Sequence, residues 1–194
     1  MVNWLRRIKM NKYLQVFKIS FQQEFAYRLN FIMWRVRNVL QIFLIFFLWD
    51  AVFSDPSRVV FGYDRAKILP YVFGLLIVKS IVLSSRTVDV AGEISRGDLT
   101  NYLLKPLNYF KYWFTRDLSS KALNLIFATG ETTLLYILLK PNFFLAAGFA
   151  NILLFIAALI IGVFLYFLIL FLLSMLPFWY PEQAWGSIFL LFIF

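Results

Sequence analysis

The sequence predicts an all-α, polytopic helical membrane protein with its N-terminus in the cytoplasm. Three observations carry that expectation. Of 194 residues, 62% are hydrophobic, 21% aromatic and only 15% charged, and the mean hydropathy is +0.77. A soluble domain is about 45–50% apolar and about 25% charged. A soluble fold of this size could not hide 24 Phe, 10 Tyr and 6 Trp and still present a wettable surface. The apolar residues are also gathered into runs that match the roughly 20 residues needed to cross a bilayer. Finally, the basic residues between those runs are unevenly divided.

Residues 4–29 read as an amphipathic helix. Leu14, Phe17, Phe21, Phe25 and Leu29 step by three and four, with Lys12, Lys18, Gln22 and Arg28 elsewhere around it. Such a helix lies in the inner interface with its basic residues toward headgroups. It makes a poor signal peptide, because the apolar run begins near residue 38 and no small-residue cleavage site follows. The first span is 31–53, bracketed by Trp34 and Trp49 as interfacial anchors. The second is 68–85 and the third 122–139. Residues 143–176 are apolar throughout and predict one long helix, with Gly148 and Gly162 as its weak points. Pro177 and Pro181 break it. A fifth run, 184–194, would make about 16 Å of helix, half a bilayer. The expectation is a sequence truncated within its fifth span, the alternative a terminal helix lying in the interface.

Basic residues set the orientation. Eight lie before the first span or, as Arg35 and Arg37 do, at its inner edge, and six lie in 86–121, against four in the segments on the other side. That split places the N-terminus and 86–121 in the cytoplasm. The net charge of +9 then faces an anionic membrane surface rather than nucleic acid. The sequence holds no Cys and no His. That excludes disulfides, thiolate zinc sites, Ser–His–Asp triads and His-ligated haem. No G-x-x-x-x-G-K-[ST] loop is present, so the chain has no phosphate cradle of its own.

Residues 86–121 are the one long polar stretch. Val90–Ser95 could continue the second span, and Arg96-Gly97-Asp98 is a turn signal. Asp98 is expected to N-cap a short helix, 99–104, that Pro106 stops. A second amphipathic stretch, 107–114, would return along the interface. A short helix carrying Leu99, Leu103 and Leu104 is thereby presented between two breakers. That apolar content suggests docking to a cytoplasmic protein or folding back on the bilayer.

Within this stretch, EISRGDLTNYLLKPLNYF (Glu93–Phe110) resembles the cytoplasmic loop of the membrane subunits of type-2 ABC exporters. It is closest to the six-span permeases grouped with daunorubicin-type multidrug exporters. Residues 25–31 (FAYRLNF) resemble that family's lead into its first span, and Phe178-Trp179 with 182–186 (EQAWG) its junction between spans four and five. The resemblance runs through the whole chain in order. It implies a permease subunit of an ATP-driven exporter in a bacterial plasma membrane. The partners implied are a separate ABC ATPase and a second permease chain, identical or different, with an unknown exported substrate. ATP and Mg would belong to the ATPase, leaving this chain no cofactor and no catalytic residue. The ATPase contact would be a coupling helix within Glu93–Pro106. Leu99, Tyr102, Leu103 and Leu104 would be its apolar knobs, and Glu93, Arg96 and Lys105 its rim charges. Gly97 and Pro106 would fix its shape. Helix 4–29 would be an elbow positioning the transport domain, or a plain anchor.

Glu131 lies within the third span, about 12 Å from its outer end. An ionisable group at that depth faces protein or water. It is a polar contact in the translocation path, with Lys79 a second candidate, or half of a structural pair with Lys79, or a carboxyl protonated by burial. Arg35 and Arg37 are expected to contact headgroups. The competing functions are a non-transport scaffold that recruits a cytoplasmic partner and, less compatible with a nearly lone Glu131, a membrane-embedded enzyme.

Overall fold

The computed structural model describes residues 2–26, 28–55, 59, 62–139 and 148–180. The fifth apolar run and residues 140–147 lie outside the described residues. Every described element is a helix: α1 (Val2–Ala26), α2 (Arg28–Val52), α3 (Arg65–Val82), α4 (Val88–Ser95), α5 (Thr100–Leu103), α6 (Tyr109–Leu139) and α7 (Phe149–Leu173), followed by a 3-10 turn, Leu176–Phe178.

The helix boundaries follow from local chemistry. Asp64 caps α3, its carboxylate accepting the Lys67 amide at 2.9 Å. Asn108 does the same for α6, with Oδ1 accepting the Lys111 amide at 3.0 Å. α4 ends in a Schellman closure. Gly97, at φ +74°, donates its amide to Ile94 O at 3.0 Å, and Asp98 donates to Glu93 O at 2.9 Å. Gly is favoured there because a Cβ penalises the left-handed conformation.

Several expectations are corrected. The second span does not run on into 90–95. α3 stops at Val82, and residues 83–87 separate it from α4. The return along the interface is absent, because α6 rises unbroken for 31 residues, about 46 Å, from Tyr109. The aromatic residues 109–114 are its first turns. The long helix expected over 143–176 begins at Phe149 with Gly148 as its N-cap, and it ends before Pro177, which enters the 3-10 turn.

α1 packs along α6, α2 along α3, and α3 against both α6 and α7. Two apolar clusters hold the bundle. Phe46, Phe53, Ile68, Val72 and Phe73 form one between α2 and α3, with Phe46 and Phe73 edge to face at 5.8 Å. Trp49, expected as an anchor, stacks on Phe53 at 6.0 Å and joins this cluster. The second cluster joins α4, α6 and α7 through Val90, Trp113 and Phe167. Phe110 and Phe114 clasp Phe167 at 5.5 and 5.1 Å. Among the described residues, one segment, Phe149–Phe178, is long and apolar enough to cross a membrane, with mean hydropathy 3.1. It is almost wholly uncovered by the rest of the chain, as a lipid-facing helix would be.

Candidate functional site

Residues 88–108 form a compact hairpin at one end of the bundle. α4 leads down, the Gly97 turn reverses the chain, α5 makes one turn, and Pro106 separates it from α6. Glu93 organises the hairpin. It is buried at 8% exposure, and its carboxylate accepts the Tyr102 hydroxyl at 2.9 Å and the Tyr109 hydroxyl at 3.0 Å. One donor comes from α5 and the other from the start of α6, so a single side chain ties three helices together. Burial, reinforced by Glu93, raises both tyrosine pKa values, so both phenols stay protonated and keep donating. The rings add edge-to-face packing, Tyr102 on Tyr109 at 5.4 Å.

This geometry revises the residue roles read from the sequence. Glu93 is not a rim charge but the buried acceptor. Tyr102 is not an outward knob, since its ring lies against Tyr109 and Tyr112 and its hydroxyl points inward. Asp98 does not cap α5. That helix starts at Thr100 with Leu99 at the cap position and no side-chain bond, while Asp98 accepts Arg96 Nε at 2.9 Å. Leu99 is half-buried, and the Leu103 side chain lies outside the described residues. Leu104 is the exposed knob, at 87%. Around it stand Arg96 and Asp98, both exposed in their ion pair, and Lys105, whose ammonium sits 5.1 Å from the Tyr102 ring centre. Glu93, Arg96, Asp98, Asn101, Tyr102, Leu104 and Lys105 line one shallow hollow of about 510 Å³. Leu104 is the one aliphatic side chain among these lining residues.

The hairpin is anchored on both sides by contacts with no signature in the sequence. α1 reaches it through Lys12, whose ammonium donates to Pro106 O at 2.6 Å. Ser119 in α6 donates to Phe17 O in α1 at 3.0 Å. On the other side, residues 83–87 are held by side chains from α1, from α6 and from the cap of α7. Lys121 donates to the carbonyls of Ile81 at 3.3 Å and Val82 at 3.2 Å, and to that of Ser84. A cation there satisfies carbonyls left open at the C-terminus of α3. Asp117, fully buried, accepts Ser85 Oγ at 2.6 Å and the Arg86 amide at 3.2 Å. Glu24 of α1 takes the Arg86 guanidinium through both carboxylate oxygens. Burial works against the Arg86 charge, but Glu24 outweighs it and raises the pKa. Ser174, after α7, donates to Thr87 O at 2.8 Å.

Higher in the bundle, Glu131 pairs with Arg35 of α2 at 3.5 Å, both side chains largely buried. The same guanidinium bonds Asn124 and lies 5.3 Å from the Phe127 ring centre. Asn124, Phe127 and Glu131 share one face of α6, so Arg35 grips two successive turns. This overturns two expectations. Arg35 is directed into the protein rather than to headgroups, and Lys79, exposed on α3, is not the partner of Glu131.

The comparisons accord with this architecture. A family model described as an ABC-2 family transporter protein matches residues 39–189. No curated protein matches the chain, and no solved structure does. The matched region runs from within α2 past the 3-10 turn and so contains the hairpin, the polar junction and Glu131. The chain belongs to the ABC-2 family of transporter proteins and is the membrane-embedded permease component of an ABC transporter.

Proposed function

We propose that the chain is the permease of an ATP-driven exporter and that the hairpin 88–108 is its contact with a separate cytoplasmic ABC ATPase. The observation that carries this reading is Leu104. It stands 87% exposed on a hairpin that Glu93, Tyr102, Tyr109 and the Gly97 turn hold rigid. An exposed apolar side chain on a preorganised support, ringed by Arg96, Asp98 and Lys105, suits a knob entering a pocket with a charged rim. A solvated loop needs neither the knob nor the brace. Binding would concentrate on Leu104 with the half-buried Leu99, while Arg96 and Lys105 steer.

The remainder of the reading follows from the same assignment. The ATPase supplies the ATP and Mg chemistry. The apolar stretches of α2, α3, α6 and α7 form a multi-pass domain in a bacterial plasma membrane. The hairpin and the N-terminus share the cytoplasmic side, and 4–29 serves as an elbow against α6. Two permease chains enclose the path of the exported substrate, with Glu131 on that path or bracing it. Membrane lipid covers the apolar faces of α2 and α7, and nucleic acid has no part.

The test is co-purification of the permease with any ABC ATPase encoded beside it. Native hairpin should retain the ATPase. Leu104→Asp, at a position with almost no contacts to lose, should insert normally and release it. Equal capture by both forms would refute the assignment of the contact.

A further inference from the structure

Residues 83–87 are the mechanical junction between α3 and the hairpin, and they are non-helical. A free linker of that length would absorb any displacement of α4. This one is gripped from outside. Asp117 and Lys121, one turn apart on α6 and 3.5 Å from each other, hold its start. Glu24 holds Arg86, and Ser174 holds the Thr87 carbonyl. Thr87, Asp117 and Ser174 are fully buried and Lys121 nearly so.

The arrangement of bonds has a direction. The carbonyls of Ile81, Val82 and Ser84 converge on one ammonium, which also faces Asp117 and lies 5.8 Å from the Tyr166 ring centre of α7. Lys121 therefore meets α3, α6 and α7 at one point. Buried charged groups cost solvation and gain it back only through well-placed partners. A junction needed only for packing could be built from apolar side chains at lower cost. Directional bonds between four helices resist sliding in a way that apolar contacts do not.

We infer that Asp117 and Lys121 are positioning residues that transmit movement of the hairpin to the membrane helices. In this account a displacement of α4 by the ATPase passes through Arg86 and Thr87 to α1 and α7, and through Ser85 and the α3 carbonyls to α6. The bundle then moves as one unit between its two states. The inference rests on the docking role proposed for the hairpin, and the experiment separates the two.

The chain has no cysteine, so a single Ile137→Cys substitution gives a unique attachment point for a bimane fluorophore. Ile137 is exposed on α6, about 24 Å along the helix from Lys121. The labelled full-length permease is reconstituted with its ATPase in nanodiscs, and bimane emission is read before and after ATP with vanadate. In the parent the emission should shift. Lys121→Met should keep the ATPase bound and hydrolysing, with the nucleotide-dependent shift reduced at least fivefold. Lys121→Arg, which keeps a cation in reach of the carbonyls, should restore most of it. Ser174→Ala removes a hydroxyl that reaches the Thr87 carbonyl at 2.8 Å and the Leu170 carbonyl of its own helix at 2.7 Å; only the first joins α7 to the linker, so the loss should be partial, which keeps the inference testable if Lys121→Met does not assemble. A full shift in Lys121→Met or an unaltered one in Ser174→Ala would overturn the transmission role. Loss of ATPase capture and of thermal stability in step with the shift would also overturn it, because a purely architectural brace behaves that way. Failure of the parent itself to retain the ATPase would instead strike the docking role.

Discussion

Tyr109→Phe is the cleanest perturbation of the hairpin. It deletes one oxygen and leaves the ring, so the edge-to-face packing of Tyr102 on residue 109 at 5.4 Å is kept. What is lost is a 3.0 Å bond to a carboxylate that is itself 8% exposed. A hydrogen bond to a charged group contributes about 1.5–3 kcal/mol, and Glu93 has little water to turn to in exchange. Taking about 2 kcal/mol, the closed hairpin should open roughly 30-fold more often, since about 1.4 kcal/mol is a factor of ten. Tyr102→Phe should act similarly, since it loses the 2.9 Å bond to Glu93 together with a long contact to the Tyr112 hydroxyl at 3.5 Å. Together they leave Glu93 buried without either phenol, and the cost should exceed the sum of the two, toward the roughly 3–5 kcal/mol of an uncompensated buried charge. Amide hydrogen exchange across 93–108 in detergent reads this directly, because local opening sets the exchange rate. A Tyr109→Phe protein exchanging within twofold of the parent would refute the claim that Glu93 braces the hairpin.

Other outcomes follow from the same contacts. Gly97→Ala puts a Cβ on a residue at φ +74°; the cost of about 1–2 kcal/mol should appear as faster exchange in 95–99, although no neighbouring atom crowds the site. Arg35→Met and Glu131→Leu each strip a largely buried charge of its partner and should lower the melting temperature in detergent more than the double variant does; simple additivity would show that the pair is not coupled. Glu24→Gln weakens the two-oxygen grip on Arg86 and should loosen α1, seen as increased protease cleavage within 12–26. An unchanged cleavage rate would remove α1 from the junction.

Much of the architecture was legible from hydropathy. Runs of apolar residues marked α2, α3, the C-terminal half of α6 and α7, because a long apolar run is read directly from composition. The Gly97 turn and the Pro106 stop were legible too, since both act through their own backbone. The role of Glu93 was not. A carboxylate in a polar loop reads as solvated, and its two phenols lie nine and sixteen positions away in a spacing that announces nothing. Asp98 was misread because Asp before an apolar run suggests an N-cap, whereas Arg96 two residues earlier competes for the same carboxylate at 2.9 Å. The interface stretch 107–114 was misread because its aromatic residues fit a lipid boundary as well as they fit the face that meets Phe167 and Phe171. Lys121 and Asp117 were hidden for a further reason. Their partners are mainly backbone groups and a serine hydroxyl some thirty to forty residues away, and backbone acceptors leave no trace in a sequence.

The central claim is that Leu104 meets an ABC ATPase. A photo-crosslinking amino acid placed at position 104, and for comparison at Leu44, exposed on α2, tests it in intact membranes. The account predicts a crosslinked band containing the ATPase from position 104 and none from position 44. A permease that is fully inserted and crosslinks to no ATPase from position 104 would contradict it.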